Sequence, residues 1–187
     1  MNVLLVSGHT NIKGDSVANK NIIQEFENLM PNAEIDLLDE LYTDFKIDVK
    51  AEQQKLLRAD VIVLQFPVWW YSQPSLMHKW MEDTFQHGFS HGRTGKALVG
   101  KKLVASFTTG APAEAYTPEV SGATLEEIIM PPIVGTARLT GMTLLEPVYT
   151  YGVSYQTRNN PEALADMVER AKEHARRLVE IIKKSEK

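Results

Sequence analysis

The sequence contains no cysteine, and this single absence removes disulfides, thiolate metal ligands and thiol nucleophiles together. Any redox chemistry must come from a bound cofactor. Long apolar runs are missing as well: no stretch approaches the ~18 residues that a membrane helix needs. The apolar opening Val3-Leu4-Leu5-Val6 is too short for a signal segment, has no basic residues before it, and runs into polar loop residues. A first strand in a soluble, cytoplasmic protein is the expectation. An excess of positive charge is also lacking. Lys and Arg total 20 against 24 Asp and Glu, for a formal charge of −4 and a pI near 5.8. Phosphate backbones find no basic footprint on such a chain, so nucleic acid is not an expected partner. No linker, internal repeat, low-complexity tract or metal-binding pattern breaks the sequence.

What is present reads as one globular domain spanning residues 1–187. The chain is 43% hydrophobic and 24% charged, ordinary values for a sequence that can bury enough apolar surface to fold. Short apolar runs alternate with longer stretches of helical period, the pattern of βαβ units on a parallel sheet. Five strands are expected: Asn2 to Val6, Ala33 to Leu38, Val61 to Phe66, Lys102 to Thr108, and Thr143 to Tyr149. Val61 to Leu64 is continuously apolar, as in a central strand covered on both faces. A first helix starts at Asp15 or Ser16, either able to cap it, turns Ile22, Ile23, Phe26, Leu29 and Met30 inward, and stops at Pro31. The last helix is clearest: Asn160 caps, Pro161 takes the first position, and apolar residues from Leu164 to Ile182 recur at helical spacing. Its basic residues read as a solvated face.

Three strand-end loops carry chemistry-bearing residues. The first, Ser7 to Asn19, leads from strand to helix and holds His9, Ser16, Val17, Ala18 and Asn19. Such a loop offers amides and a positive dipole end to a phosphate, yet G-x-x-x-x-G-K-[ST] and G-x-G-x-x-G are both missing. Loop and capping roles explain these residues equally well. The second, Pro67-Val68-Trp69-Trp70-Tyr71, places three large aromatics where a loop buries little. They fit either a flat ligand or packing at the sheet edge or a dimer contact. Leu76, Met77, Trp80, Met81 and Phe85, after Pro74, have the spacing of a core face. The third is Thr108-Thr109-Gly110-Ala111-Pro112, with Tyr116 downstream. Its small residues suit backbone donation to a polar ring edge, or an ordinary turn. These loops converge only with strand order 2-1-3-4-5, at the switch point between strands one and three.

Phe66-Pro67-x-x-Trp70-Tyr71-Ser72-x-Pro74, continuing through Lys79-Trp80-Met81-Glu82-Asp83 to Phe85, Gly88, Phe89 and Gly92, resembles the flavodoxin-like NAD(P)H:quinone oxidoreductases. This family includes DT-diaphorase, modulator of drug activity B and the ancillary oxidoreductases of glutathione-gated potassium efflux. His9, Ser16-x-Ala18-Asn19, Thr108-Thr109-Gly110 and Tyr116 match too. The resemblance implies a flavodoxin-like doubly wound α/β fold with a five-stranded parallel sheet. It implies that His9 and Ser16 to Asn19 surround a flavin phosphate and ribityl chain, and that Pro67 to Trp70 and Thr108 to Ala111 embrace the ring. Tyr116 then sits at the pyrimidine edge as the catalytic side chain, with Tyr71 nearby. NADH or NADPH delivers hydride, leaves, and a quinone-like acceptor takes it, in a homodimer whose partner chain completes the pocket.

Gly122 stands where DT-diaphorase has a histidine six residues past its tyrosine, so that enzyme's proton relay does not transfer. The shorter chain favours FMN over FAD. Azo- or nitroreduction, and a regulatory role on a membrane potassium transporter, are rival readings. A one-electron flavodoxin fits less well, since Asn11 to Ser16 lacks the Thr/Ser-rich phosphate loop and the chain is only mildly acidic.

Overall fold

A computed structural model describes residues 1–186, apart from the side chain of Asp15. Four strands lie parallel and in sequence-defined register: β1 (Val3–Ser7), β2 (Glu34–Leu37), β3 (Val61–Pro67) and β4 (Lys102–Thr108). β1 pairs with β2 on one side and β3 on the other, and β4 follows β3. Beyond β4, two short pieces run parallel to it, β5 (Thr143–Leu144) and β6 (Val148–Thr150). The order is therefore β2-β1-β3-β4-β5, with β6 also on β4. The single last strand expected over Thr143 to Tyr149 is thus split. Pro147 explains the gap, because it has no N–H to give the ladder and its ring restricts the residue before it.

Alternation along β1, β3 and β4 sends side chains to two separate cores. Leu4, Val6, Ile62, Leu64, Leu103, Ala105 and Phe107 face one layer. Val3, Leu5, Val61, Val63 and Val104 face the other. The first layer is covered by α4 (Val49–Arg58), α5 (Ser75–Thr84) and α7 (Leu125–Thr140), through Leu56, Leu76, Met77, Trp80, Ile129 and Ile133. The second is covered by α2 (Ala18–Leu29) and α8 (Pro161–Lys184), through Ile22, Ile23, Phe26, Ala171, Ala175, Leu178 and Ile182. Both faces of the sheet being covered, its central strands are wholly buried. Each such side chain contributes on the order of 1.5–3 kcal/mol by leaving water.

Helix ends follow local chemistry. Asn160 Oδ1 accepts from the amides of Glu162 and Ala163 at 3.0 and 3.1 Å, as read from Asn160-Pro161. α7 opens on a capping box in which Thr124 and Glu127 satisfy each other's backbone amides. It continues through Pro131 and Pro132, both on its exposed side. The short segments α1 (Ile12–Asp15), α3 (Leu38–Leu41) and α6 (Pro118–Ser121) occupy connections. A buried polar cluster ties β2 to the helical layer: Glu52 accepts from Tyr42 at 2.6 Å, Trp80 Nε1 at 2.7 Å and Lys55 at 2.7 Å, while Lys55 also bridges both Asp36 oxygens at 2.8 Å. Burial, with the Glu52 carboxylate opposite, pushes the Asp36 carboxyl up to about 7 against the pull of Lys55.

Candidate functional site

The C-terminal ends of β1, β3 and β4 meet at the switch point, where strand order reverses and connections leave to opposite faces. There a cavity of about 290 Å³ opens. It is lined by His9, Ser16, Val17, Ala18 and Asn19 from the first loop, Pro67, Val68 and Trp69 from the second, and Thr108 and Gly110 from the third. The remaining wall comes from the segment after β6: Val153, Ser154, Tyr155, Arg158, and Met167 of α8.

The first loop differs from the sequence expectation in its start. Helix α1 sits inside it, capped by Asn11, whose Oδ1 accepts from Gly14 N–H at 3.1 Å, and anchored by Ile12 N–H to Asp39 at 2.6 Å. The long helix then begins at Ala18, after Val17, with no side-chain cap at that boundary. Ser16 Oγ accepts from Lys20 N–H at 3.3 Å, and the side chain of Asp15, the other expected cap, lies outside the described residues. The opening amides of a helix have no intrahelical acceptor, and no acidic residue stands in this first turn. Ser16 takes the amide of Lys20; among the described residues the amides of Ala18 and Asn19 face the cavity wall without a side-chain acceptor. His9 is buried, accepts from Asn11 N–H through Nδ1 at 3.0 Å, and sets its ring edge-on to Trp69 at 5.3 Å.

The second loop is a two-residue turn closed by mutual bonds of 3.0 Å between Trp69 and Ser72. Its central residues, Trp70 and Tyr71, have φ of 50° and 59°. Positive φ at both central positions marks a type I′ turn, where glycine or asparagine usually supplies it. Bulky aromatics there are strained, and such strain collects at working sites. Trp70 is 96% exposed and, with Tyr71, lies outside the cavity lining. Tyr71 meets Tyr116 edge-on at 6.5 Å, and Tyr116 leans on Tyr151 at 5.9 Å. Burial raises the Tyr116 phenol above its ordinary value, so at neutral pH it keeps its proton and can donate. Thr109 turns its hydroxyl to Ala111 O at 2.8 Å. Thr109, Ala111 and Tyr116 thus stand beside the lining, not in it. Gly110 has open space around it: a Cβ there would come no nearer than 4.0 Å, to Ser154 Cα across the gap.

The donor set suits an anionic tail joined to a flat body. The N-terminus of α2, the Ser16 hydroxyl and Arg158 fit a phosphate. Pro67 to Trp69 and the bare backbone at Gly110 fit a planar ring. Sequence reasoning missed the wall after β6, although the strand-to-helix logic used for the other loops applies equally to Ser154 through Asn160. Beneath the cavity it also missed a buried polar layer. Asn19 Nδ2 donates to Thr108 at 3.0 Å, Gln65 donates to Asn19 Oδ1 at 2.8 Å, and Ser106 donates to Gln65 at 2.5 Å. Ser106 also meets His174 Nε2 at 2.7 Å, and His174 Nδ1 meets Thr150 Oγ1 at 2.9 Å. Complete burial and nearby Arg177 drive His174 down to about 3, so its ring is neutral.

The glutathione-regulated potassium-efflux system ancillary protein KefF of Enterobacter sp. (strain 638) is 39% identical over 132 residues, 71% of this chain and 73% of that protein. A solved thermophilic tryptophan halogenase from Streptomycin violaceusniger is 31% identical, with a TM-score of 0.78 over 92% of this chain and 96% of its own. General stress protein 14 (TDE0354) of Treponema denticola, solved in complex with FMN, is 25% identical, with a TM-score of 0.75 over 92% of this chain and 98% of its own. These names cover different chemistries and do not fix the activity of this chain. The family described by its flavodoxin-like fold matches residues 1–175, and the chain belongs to that family.

Proposed function

We propose that this chain is a single flavin-binding domain that holds FMN at the switch point and uses NADH or NADPH to reduce quinones or similar electrophiles by two electrons. One observation carries the reading: the N-terminus of α2, with no acidic residue in its first turn, and Arg158 stand at the same cavity as a flat wall of Pro67, Val68 and Trp69. An FMN-bound relative of the same fold supports it. When bound, the flavin would accept hydride from reduced nicotinamide and pass it to the acceptor in a ping-pong sequence.

The chain's own residues then have definite tasks. First-turn amides of α2, Ser16 and Arg158 neutralise the phosphate. Trp69, pinned edge-on by buried His9, keeps the second loop against the ring. The protonated Tyr116 hydroxyl, at the Tyr71–Tyr151 cluster, donates to the negative edge that forms on reduction or to the quinone oxygen that gains charge. The quinone takes up one hydride and one proton, leaving as hydroquinone, and the nicotinamide leaves oxidised. Trp70 and Tyr71, exposed at the rim, suit burial by a second copy of the chain.

The test is direct. The purified protein should be yellow or take up FMN, and should oxidise NADH or NADPH only when a quinone is added. A colourless protein that cannot be reconstituted refutes the reading. Comparing kcat/KM across quinones, azo dyes and nitroaromatics fixes the acceptor class, and light scattering at micromolar concentration should give a dimer mass. A second reading, a regulatory subunit on a potassium-efflux transporter, is favoured by the 39% identity to KefF. Co-purification with such a transporter would support it.

A further inference from the structure

The buried polar layer under the cavity has a direction. Arg177 reaches Thr150 Oγ1 at 3.1 Å and Tyr149 O at 3.0 Å, and a guanidinium only donates. Thr150 therefore accepts from Arg177, and among the described residues its own hydrogen has one partner, His174 Nδ1 at 2.9 Å. A neutral imidazole carries one N–H, which must then be on Nε2, facing Ser106 at 2.7 Å. Ser106 accepts there and gives its proton to Gln65 Oε1, Gln65 Nε2 donates to Asn19 Oδ1, and Asn19 Nδ2 donates to Thr108 Oγ1. Every step runs the same way. Among the described residues no acceptor takes the hydrogen of Thr108 itself, and Thr108 lines the cavity.

We propose that Arg177, Thr150, His174, Ser106, Gln65 and Asn19 form a one-way donor line that fixes Thr108 as a hydrogen-bond donor to the cavity's occupant. His174 and Arg177 act as positioning residues, since neither lines the cavity. The line leaves the hydrogen of Thr108 for a ligand that presents an electron-rich acceptor atom. Rows of hydrogen bonds in a low-dielectric interior polarise one another, and reversing one member leaves two donors or two acceptors face to face. The low value of His174, caused by burial and by Arg177, agrees with a ring that never charges in the working range. That the occupant is FMN rests on the function proposed above; the direction of the line does not.

Two measurements decide it. Ring-¹⁵N histidine spectra of the wild-type protein, with and without FMN, should show His174 neutral and protonated on Nε2 from pH 7 down to pH 5. FMN titration by fluorescence quenching should then show Thr150→Val and Ser106→Ala binding FMN about three- to tenfold more weakly, the weight of one hydrogen bond. Thr150→Val is close to isosteric and touches nothing in the cavity, and its spectra should show the Nε2 preference relaxed. An Nδ1–H tautomer or an imidazolium in the wild type overturns the direction. Unchanged FMN affinity in both variants overturns the coupling to Thr108. Failure of the wild type to take up FMN sinks the flavin reading instead, and the line is then judged by the tautomer alone.

Discussion

Replacing Trp70 by Asn and Tyr71 by Gly together should stabilise the chain while damaging its chemistry. Both residues hold left-handed backbone, with φ of 50° and 59°, which costs an L side chain about 1–2 kcal/mol per residue. Asparagine and glycine fit the two central positions of this turn type. Against the relief stand about 0.5–1 kcal/mol for the added freedom of glycine in the unfolded chain and the lost contacts of Tyr71. Tyr71 is 61% exposed and Trp70 96% exposed, so less than half of one large side chain's burial is at stake, about 1 kcal/mol. The balance is about +1 kcal/mol, a rise of about 2–4 °C in Tm for a chain of this length. Thermal melts of flavin-free protein read it directly. Quinone turnover should fall about tenfold, because the rim that orients the acceptor is lost. A lower Tm would refute the accounting. It would mean that the two rings rest on something outside the isolated chain, and a Tm that rises with protein concentration would identify that as a second copy.

Asp36 sets a pH dependence. Its carboxyl sits near 7 in the folded chain against 3.8 unfolded, so the folded state binds more protons between about pH 4 and 7 and loses stability as pH rises through that window. Buried neutral His174, near 3 folded against 6.5 unfolded, contributes the opposite slope, so urea midpoints should rise from pH 5 to 7 more steeply in Asp36→Asn than in the wild type; equal slopes would count against it. Trp80→Phe removes a donor from the fully buried Glu52 and should cost about 1–3 kcal/mol in urea unfolding, more than the lost ring edge alone. Thr124→Ala opens the capping box of α7 and should lower stability by about 1 kcal/mol by the same assay.

Why some elements were legible is clear from their residues. Val61 to Leu64 reads as a strand buried on both faces, and it is the first half of β3. Asn160-Pro161 announces the start of α8 through two separate mechanisms, a side-chain cap and a preset φ. Where two local preferences disagree, the reading blurs. α7, absent from the expected elements, passes through Pro131-Pro132 because the lost amides are on the exposed side and Ile129 and Ile133 are buried either side of the pair. Thr143 to Tyr149 has the composition of one strand, and Pro147 divides it.

The site was readable where its residues sit on strand-end loops, since the topology alone decides that the loops after β1, β3 and β4 share one rim. It was unreadable where function depends on which face of a strand or helix a polar residue takes. Gln65 and Ser106 lie in apolar strands, and His174 lies mid-helix among Ala171, Ala175 and Leu178. Each alone looks like an isolated polar residue in a core segment, where an unpaired polar group is costly. Only the parallel register that sets Gln65 beside Ser106, with α8 laid across that face, turns three costly residues into one satisfied row. That cost is also the argument for its direction: a buried row that starts at a cation able only to donate and passes through a neutral ring hands its hydrogens one way, and the hydrogen left over is that of Thr108 in the cavity wall.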